Sequence, residues 1–571
     1  MFMTREQTFL TIKMWKSQKR FWFGLSLTFA IIYSLLELKQ AFGSAYVVQD
    51  DARVYVSWMQ RFLEPDLLPN DLISDYFKSV TPFGYAALYQ VIASVGIDPL
   101  YFSKFLPILL LLLTNGYCFA VCMQILPVPV CGFITTLLFN QNLLMRDDLV
   151  SATPRAFIYL LFLAFVYYLL RQNVLPCLIA IALTGLFYPP LLFIIVGILI
   201  LRLWHWQEKL PRLSQNRRDY VFSVTGLVLA LIVMLPYALS STEYGSVVTP
   251  NAVKALPEFS ETGRIPFFDD NPFQFWLLGQ HSGILPNILE HPLSSMGFLF
   301  PILLRYPERF PLVKKVTNIV LLRKIALVSL GMFFAAHFTL YKLFAPARYT
   351  RYTLKFVMIV AAGIAIAVIL DAVFRTCQQP QFLRRQFFAL GLTFLFVTVL
   401  VFYPLSLPQF PNSNYVVGEA PAVYEFFRQQ PKDILIAGLS PETDNLPTFS
   451  QRSILVGWEY AVPYHVSYGR QINQRATDLI RAQYTPNLAE VQNFIQTYNV
   501  DFIMLDRTAF TPEYINTNPW FQQWQMIAKD ILTTLEQGIT PALVSTLKRC
   551  SVVETDTLIV LQAECVIKTT V

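Results

Sequence analysis

Apolar runs of roughly twenty residues recur along the chain, separated by short polar stretches that hold most of its lysine and arginine. A helix crossing hydrocarbon needs about 20 such residues, because no backbone polar group can stay unpaired there. The pattern predicts about eleven crossing helices, over 21–39, 103–125, 128–144, 155–170, 174–188, 189–204, 220–240, 288–304, 325–344, 354–374 and 387–405. Around Tyr188, Pro189 and Pro190 the pieces are short, so 174–204 reads either as two spans or as two half-crossing helices.

Basic residues are retained on the cytoplasmic side of a membrane. Lys13, Lys16, Lys19 and Arg20 precede the first run and place the N-terminus inside. Counting spans from there puts four more basic groups on the same side. These are Arg171; Arg202 with Lys209, Arg212, Arg217 and Arg218; Arg305 with Arg309, Lys314, Lys315, Arg323 and Lys324; and Arg375 with Arg384 and Arg385. Glu37 and Lys39 lie between the first apolar run and the small residues Gly43 to Ala45, which favours a retained anchor over a cleaved signal peptide. Three segments then face outward: 40–102, 241–287 and everything after Leu405. Long connections between packed elements usually bind something.

Composition agrees with this reading. The chain is 55% hydrophobic and 14% charged, with mean hydropathy +0.47, more apolar surface than one soluble core can use. The net charge of +7 lies mainly in the short loops, so it reports topology and not a nucleic-acid partner. Seven cysteines, at 118, 122, 131, 177, 377, 550 and 565, form no CxxC pair, and no histidines stand at zinc-ligand spacing. No glycine-rich phosphate loop is present either.

Gln49-Asp50-Asp51-Ala52-Arg53 opens a stretch in which Val54, Tyr55, Trp58, Met59, Phe62 and Leu63 repeat at helical spacing, read as a helix lying along the membrane surface. Two carboxylates at its start could bind a divalent cation or take a proton from an attacking hydroxyl; they could also simply cap the helix. A second pair, Asp147-Asp148, falls between the third and fourth runs on the same outer face, just before Thr153-Pro154, which reads as a helix N-cap and first residue.

Arg348 and Arg351 open the tenth run on the outer side, against the charge rule. Three residues apart, they share one helix face, where two guanidinium forks could hold a phosphate. Arg155 opens the fourth run similarly. Snorkelling to the interface is the alternative for all three.

The long first outer loop opening with Asp50-Asp51, the second acidic pair, about eleven spans and an extracytoplasmic C-terminal domain resemble the GT-C glycosyltransferase superfamily. The nearest resemblance is to its bacterial polytopic members of the glycosyltransferase family 39, or dolichyl-phosphate-mannose mannosyltransferase-like, type. That resemblance implies a multi-pass α-helical membrane domain over 1–405 and an α/β domain over 406–571. It implies a catalytic base or metal ligand at Asp50 or Asp51, with Asp147 and Asp148 as further candidates to hold Mg or Mn. It also implies a sugar donor carried on polyprenyl phosphate, for which Arg155, Arg348 and Arg351 are the phosphate-binding candidates by position. Inverting hexosyl or pentosyl transfer to a glycan, lipid or protein acceptor, at the bacterial plasma membrane, would follow. No His or Glu accompanies Asp50-Asp51 in the manner of the mannosyl and oligosaccharyl transferases.

After Pro408 the pattern becomes that of a soluble α/β unit, with strands expected at 434–437, 454–456 and 502–505 and a helix from Asn487 to Tyr498. Arg452, Trp458, Glu459, Tyr460, Tyr464 and His465 form its densest polar and aromatic cluster, suited to sugar rings or to seating the domain on the membrane loops. Of these, Trp458, Glu459, Tyr460 and His465 are the substrate-binding candidates. Cys550 and Cys565 flank two strand-like runs joined near 555–557, so a hairpin would bring them close enough for a disulfide. Two other classes compete with a transferase: a lipid or polysaccharide transporter, and a non-catalytic scaffold subunit. Transporters place ionisable groups near the midplane and often show repeated halves. Here the spans are nearly free of charge and no repeat is evident.

Overall fold

The computed structural model describes residues 15–207, 210–239, 243–285, 290–343, 345–377 and 383–569. Lys13 and Lys209 of the basic clusters lie outside these residues. Six described helices are long and apolar enough to cross a membrane: Gln18–Ala41, Pro99–Ile125, Arg217–Leu239, Ile319–Thr339, Ala347–Arg375 and Gln386–Ser406. With the shorter apolar helices between them they make a multi-pass helical membrane protein.

The shorter helices depart from the expected spans for visible reasons. Val174–Phe187 and Pro190–Arg202 have 14 and 13 residues, about 20 Å each at 1.5 Å per residue, and Tyr188-Pro189 separates them. Each falls short of a hydrocarbon core of about 30 Å. The expected span over 288–304 is corrected further. It is a 3-10 helix at Pro292–Leu299 running into four α-helical residues, Phe300–Leu303. Pro301 lacks an N–H to donate, and Gly297 sits so close to helix Thr353–Cys377 that an added Cβ would lie 2.6 Å from the Met358 carbonyl. Residues 288 and 289 lie outside the description.

Helix Thr353–Cys377 is the packing centre and meets Pro129–Leu144 through Gly363. Small residues let helix backbones approach in lipid, where burial of apolar surface supplies little drive. A Cβ at Gly363 would stand 2.0 Å from Thr135 Oγ1. Gly363→Leu is therefore expected to separate the pair and destabilise the protein by about 1–3 kcal/mol, read as a lower thermal midpoint of the purified protein.

The loops with most of the basic residues gather at one end. Arg202 Nη2 lies 3.1 Å from Asp219, Lys324 donates to the Trp204 carbonyl at 3.1 Å, and Thr317 N donates to the Ile125 carbonyl at 2.7 Å. The acidic pairs and the outer arginines gather at the other.

The C-terminal region carries a five-stranded sheet in the order Ser453–Ile454, Leu435–Gly438, Phe502–Asp506, Leu558–Gln562, Ser551–Glu554. The first three strands run parallel; the last two form an antiparallel hairpin. Helix Leu488–Tyr498, with Asn487 accepting at its N-terminus from Ala489 N, buries Leu488, Val491, Phe494 and Ile495. Cys550 and Cys565, just outside the hairpin, are joined as a disulfide.

A two-stranded ladder ties this region to the loop that follows the first helix. Val47–Gln49 pairs antiparallel with Tyr415–Val417, and Asp50 N donates to the Asn414 carbonyl. The surface helix expected after Asp50 is corrected accordingly. Residues 52–62 form a short α-turn and a 3-10 turn enclosed by protein, with Val54, Trp58 and Met59 buried and Arg53 and Gln60 buried beside them. Apolar periodicity reports one covered face; here the C-terminal region supplies part of the cover through Tyr460, whose hydroxyl donates to the Arg53 carbonyl, and Gln451, which bonds Gln60.

Candidate functional site

Adjacent carboxylates at the end of the first-loop strand point to different partners. Asp50 takes the guanidinium of Arg53 one turn later. Asp51 occupies an N-cap position but makes no capping hydrogen bond; its carboxylate meets Arg155 Nη2 at 2.5 Å. The same nitrogen lies 2.6 Å from Asp147 Oδ2, so the Asp51 and Asp147 carboxylates stand within a few ångströms of each other. Arg155 is held there by its turn: Thr153 Oγ1 accepts from Arg155 N, and Pro154 opens the 3-10 segment Pro154–Phe157 that feeds the helix Ile158–Leu170.

Burial, with Asp147 beside it, pushes the Asp51 carboxyl up to about 6, with Arg155 opposing. Asp148 faces away, fully buried, and bonds Arg351 Nη2 at 2.7 Å and Lys355 Nζ at 2.9 Å. Burial alone would raise it, but Arg351, Lys355 and Arg155 outweigh that and hold its carboxyl below the usual range.

Arg348 and Arg351 lie on the short helix Ala347–Arg351, which breaks at Tyr352 before Thr353–Cys377 begins. Arg348 donates to the Tyr352 hydroxyl at 3.4 Å. Ala347 N donates to the His281 carbonyl, anchoring the segment 243–285 against this turn. His281 registers the local field. Its burial, then the positive charge of Arg348, Arg351, Arg264 and Arg155, pushes the imidazole down to about 3. Four guanidinium groups therefore lie near enough to His281 to act on its charge. Arg155 Nε, Arg351 Nε and the Tyr159 hydroxyl are buried without a hydrogen-bond partner, donor capacity that an anion or water would fill.

The C-terminal region closes the site from above. Glu459 receives Arg264 at 2.6 Å and lies 3.5 Å from Arg53. Burial pushes it up to about 8, with Arg264 opposing. Asp444 accepts from Glu459 N at 3.1 Å, and its own burial pushes it up to about 6 against the pull of Arg53. The other members of the aromatic cluster divide. The Trp458 carbonyl accepts from Arg264 Nε and its ring packs edge-on against Trp520. His465 bonds the Tyr76 hydroxyl. Tyr460 is enclosed, with its hydroxyl given to the Arg53 and Asp444 carbonyls, so no face is open to a sugar ring. Arg452 bonds main-chain carbonyls of residues 428, 430, 450 and 451 and belongs to the domain's own framework.

As metal ligands the four aspartates do not act as one set. Asp50 is engaged by Arg53 and Asp148 by Arg351 and Lys355, while Asp51 and Asp147 converge on one point. Among the described residues no group of three or more His, Cys, Asp or Glu side chains is placed to hold a metal. The Asp51–Asp147 pair fits the hard oxygen donors that Mg or Mn takes together with substrate phosphate and water.

The residues not singled out from sequence are Arg264, His281, Lys355 and Asp444. Lys355 carried a signal, an ionisable group inside an apolar run and one turn from Arg351. Arg264 and His281 stand in loops without periodicity and carried none.

No family model and no curated protein matches the sequence. Solved structures do. The oligosaccharyltransferase of Archaeoglobus fulgidus, tethered to an acceptor peptide containing the NVT sequon, aligns over 88% of this chain and 72% of its own, with 12% identity and a TM-score of 0.51. The archaeal oligosaccharyltransferase AglB from Archaeoglobus fulgidus, in complex with an inhibitory peptide and a dolichol-phosphate, aligns over the same shares at 12% identity and a TM-score of 0.50. ArnT from Cupriavidus metallidurans aligns over 96% of this chain and 99% of its own at 13% identity, but its TM-score of 0.44 is too low to carry weight. The chain has the GT-C membrane fold, with a sheet-bearing C-terminal region.

Proposed function

We propose that this GT-C-fold protein transfers a hexose or pentose, with inversion, from a polyprenyl-phosphate carrier to an acceptor hydroxyl on the outer face of a bacterial plasma membrane. The observation that carries the reading is the meeting of Asp51 and Asp147, from two separate loops, on Arg155. The A. fulgidus enzyme is recorded with a dolichol-phosphate, and a lipid-phosphate carrier is extended from it to this chain by inference.

In this reading the acceptor oxygen bonds to the anomeric carbon as the bond from that carbon to the phosphate oxygen breaks. The hydroxyl proton passes to the Asp51 carboxylate, and the departing electron pair stays on the polyprenyl phosphate. A carboxyl titrating at about 6 is ionised at neutral pH yet more basic than an ordinary aspartate. Arg348 and Arg351 meet the charge that develops on the leaving phosphate, in a water-poor setting where such stabilisation is strong. Asp147 shares Arg155 with Asp51 and so fixes the orientation of the base. Were a divalent cation bound, Asp51 and Asp147 would hold it in place of Arg155 and it would neutralise phosphate charge, with Asp51 then a ligand and not the base.

The test is reconstitution in liposomes with polyprenyl-phosphate hexoses and pentoses and an envelope glycan acceptor. Release of free polyprenyl phosphate, followed by mass spectrometry, with inverted linkage in the product is expected. Folded protein that releases none from any donor would reject the reading.

A further inference from the structure

Between the second outer loop and the C-terminal region a crevice opens on either side of Trp524. One arm, about 660 Å³, has Thr262, Phe268 and Gln523 in its wall; the other, about 410 Å³, is lined by His465, Arg470 and Asn473. Helix Val466–Tyr484 presents Gly469, Arg470, Asn473, Gln474 and Thr477 to the second arm, a face of polar side chains at helical spacing. Two donors in the lining have no acceptor, the Gln523 side-chain amide and the Trp524 indole N–H, although Gln523 is 95% buried. Buried donors of this kind mark a place where a ligand or water completes the hydrogen bonding.

The crevice and the proposed reaction centre are two faces of one loop. Thr262 Oγ1 donates to the Gln522 carbonyl at 3.1 Å, Arg264 N donates to Gln523 Oε1 at 3.0 Å, and the Arg264 guanidinium reaches through to Glu459 at 2.6 Å. The segment Pro463 to Val466 joins the two parts as well, with the Tyr464 carbonyl accepting from Val248 N and His465 lining the crevice.

Resting on the transferase reading above, we infer that the acceptor is a carbohydrate chain, and that its non-reacting sugar units lie in the crevice against Trp524. A pyranose ring has an apolar face that stacks on an indole and a rim of hydroxyls that suits amides and guanidinium groups. The crevice offers both, with the Trp524 indole between its two arms and Arg470, Asn473 and Gln474 along one of them.

The probe is a set of short oligosaccharides released by mild acid from the source cells' envelope and labelled at the reducing end. Their binding to the full-length protein in nanodiscs is measured by fluorescence polarisation. Wild type and Asp51→Asn are expected to bind alike, whereas Trp524→Ala and the exposed-site variant Arg470→Ala each weaken binding about tenfold or more with unchanged thermal midpoints for Arg470→Ala. Unaltered binding in both crevice variants, or displacement of the probe by a short peptide but not by unlabelled oligosaccharide, overturns the inference. Binding that depends on Trp524 without any sugar transfer by wild type leaves the crevice assignment standing and removes the transferase reading instead.

Discussion

Asp51→Asn is expected to lower the rate of sugar transfer by about 10²- to 10⁴-fold, the scale of a lost general base. The amide keeps the size of the carboxylate and can still accept from Arg155, so the fold and the donor's KM should change little. Asp50→Asn serves as the comparison, because Asp50 is engaged by Arg53 and turned from Arg155; its loss should cost far less. The pH profile adds a second readout. Burial raises the Asp51 carboxyl to about 6, so between the ordinary carboxylate value and pH 6 the group stays protonated and idle. The wild-type kcat/KM should therefore climb as pH rises through about 6 and level off above 7. A profile flat from pH 5 to 8, or a greater loss in Asp50→Asn than in Asp51→Asn, would move the base elsewhere.

Why Asp51 and not Asp50 could not be read from the sequence. Both sit in one dipeptide, and the choice is made by backbone direction at the end of a strand whose partner, Tyr415–Val417, lies hundreds of residues away. What sequence could supply was the side of the membrane. The length needed to cross hydrocarbon gives an expected span count, the basic loops an expected sense, and together they predict that Asp50-Asp51, Asp147-Asp148, Arg155 and Arg348 to Arg351 share one face. The structure joins Asp51 and Asp147 through Arg155 and pairs Asp148 with Arg351, while Asp50 turns to Arg53.

Where covering elements decide the outcome, the same logic stops. The stretch after Asp51 has the apolar repeat of a surface helix, yet the cover over it includes protein and not lipid alone. The run at 288–304 has spanning composition, yet Gly297 and Pro301 yield a 3-10 turn against Met358. Arg264 left no trace because its partner Glu459 belongs to another region and its own loop has no repeat to flag it.

Lys355→Met should destabilise the protein by about 3–5 kcal/mol, the usual consequence of stripping one partner from a buried ion pair. Lys355 Nζ and the Asp148 carboxylate are both fully buried at 2.9 Å, and Arg351 alone would then face the aspartate. The cost comes from the Asp148 oxygen left buried without its Lys355 donor, and Asp148→Asn gives the prediction its control. Asp148→Asn strands two buried cations, whereas Asp148→Asn with Lys355→Met strands Arg351 alone, so the double variant should recover part of the thermal midpoint that Asp148→Asn loses. The sign of the pH dependence follows from the same pair. The Asp148 carboxyl is held below its ordinary range, so its contribution is complete above the unfolded carboxylate value near 4 and fades only as pH falls toward its lowered native value. The deficit of Lys355→Met should thus be constant from pH 5 to 8. A double variant no more stable than Asp148→Asn would mean that Lys355 acts through packing of its stem and not through Asp148.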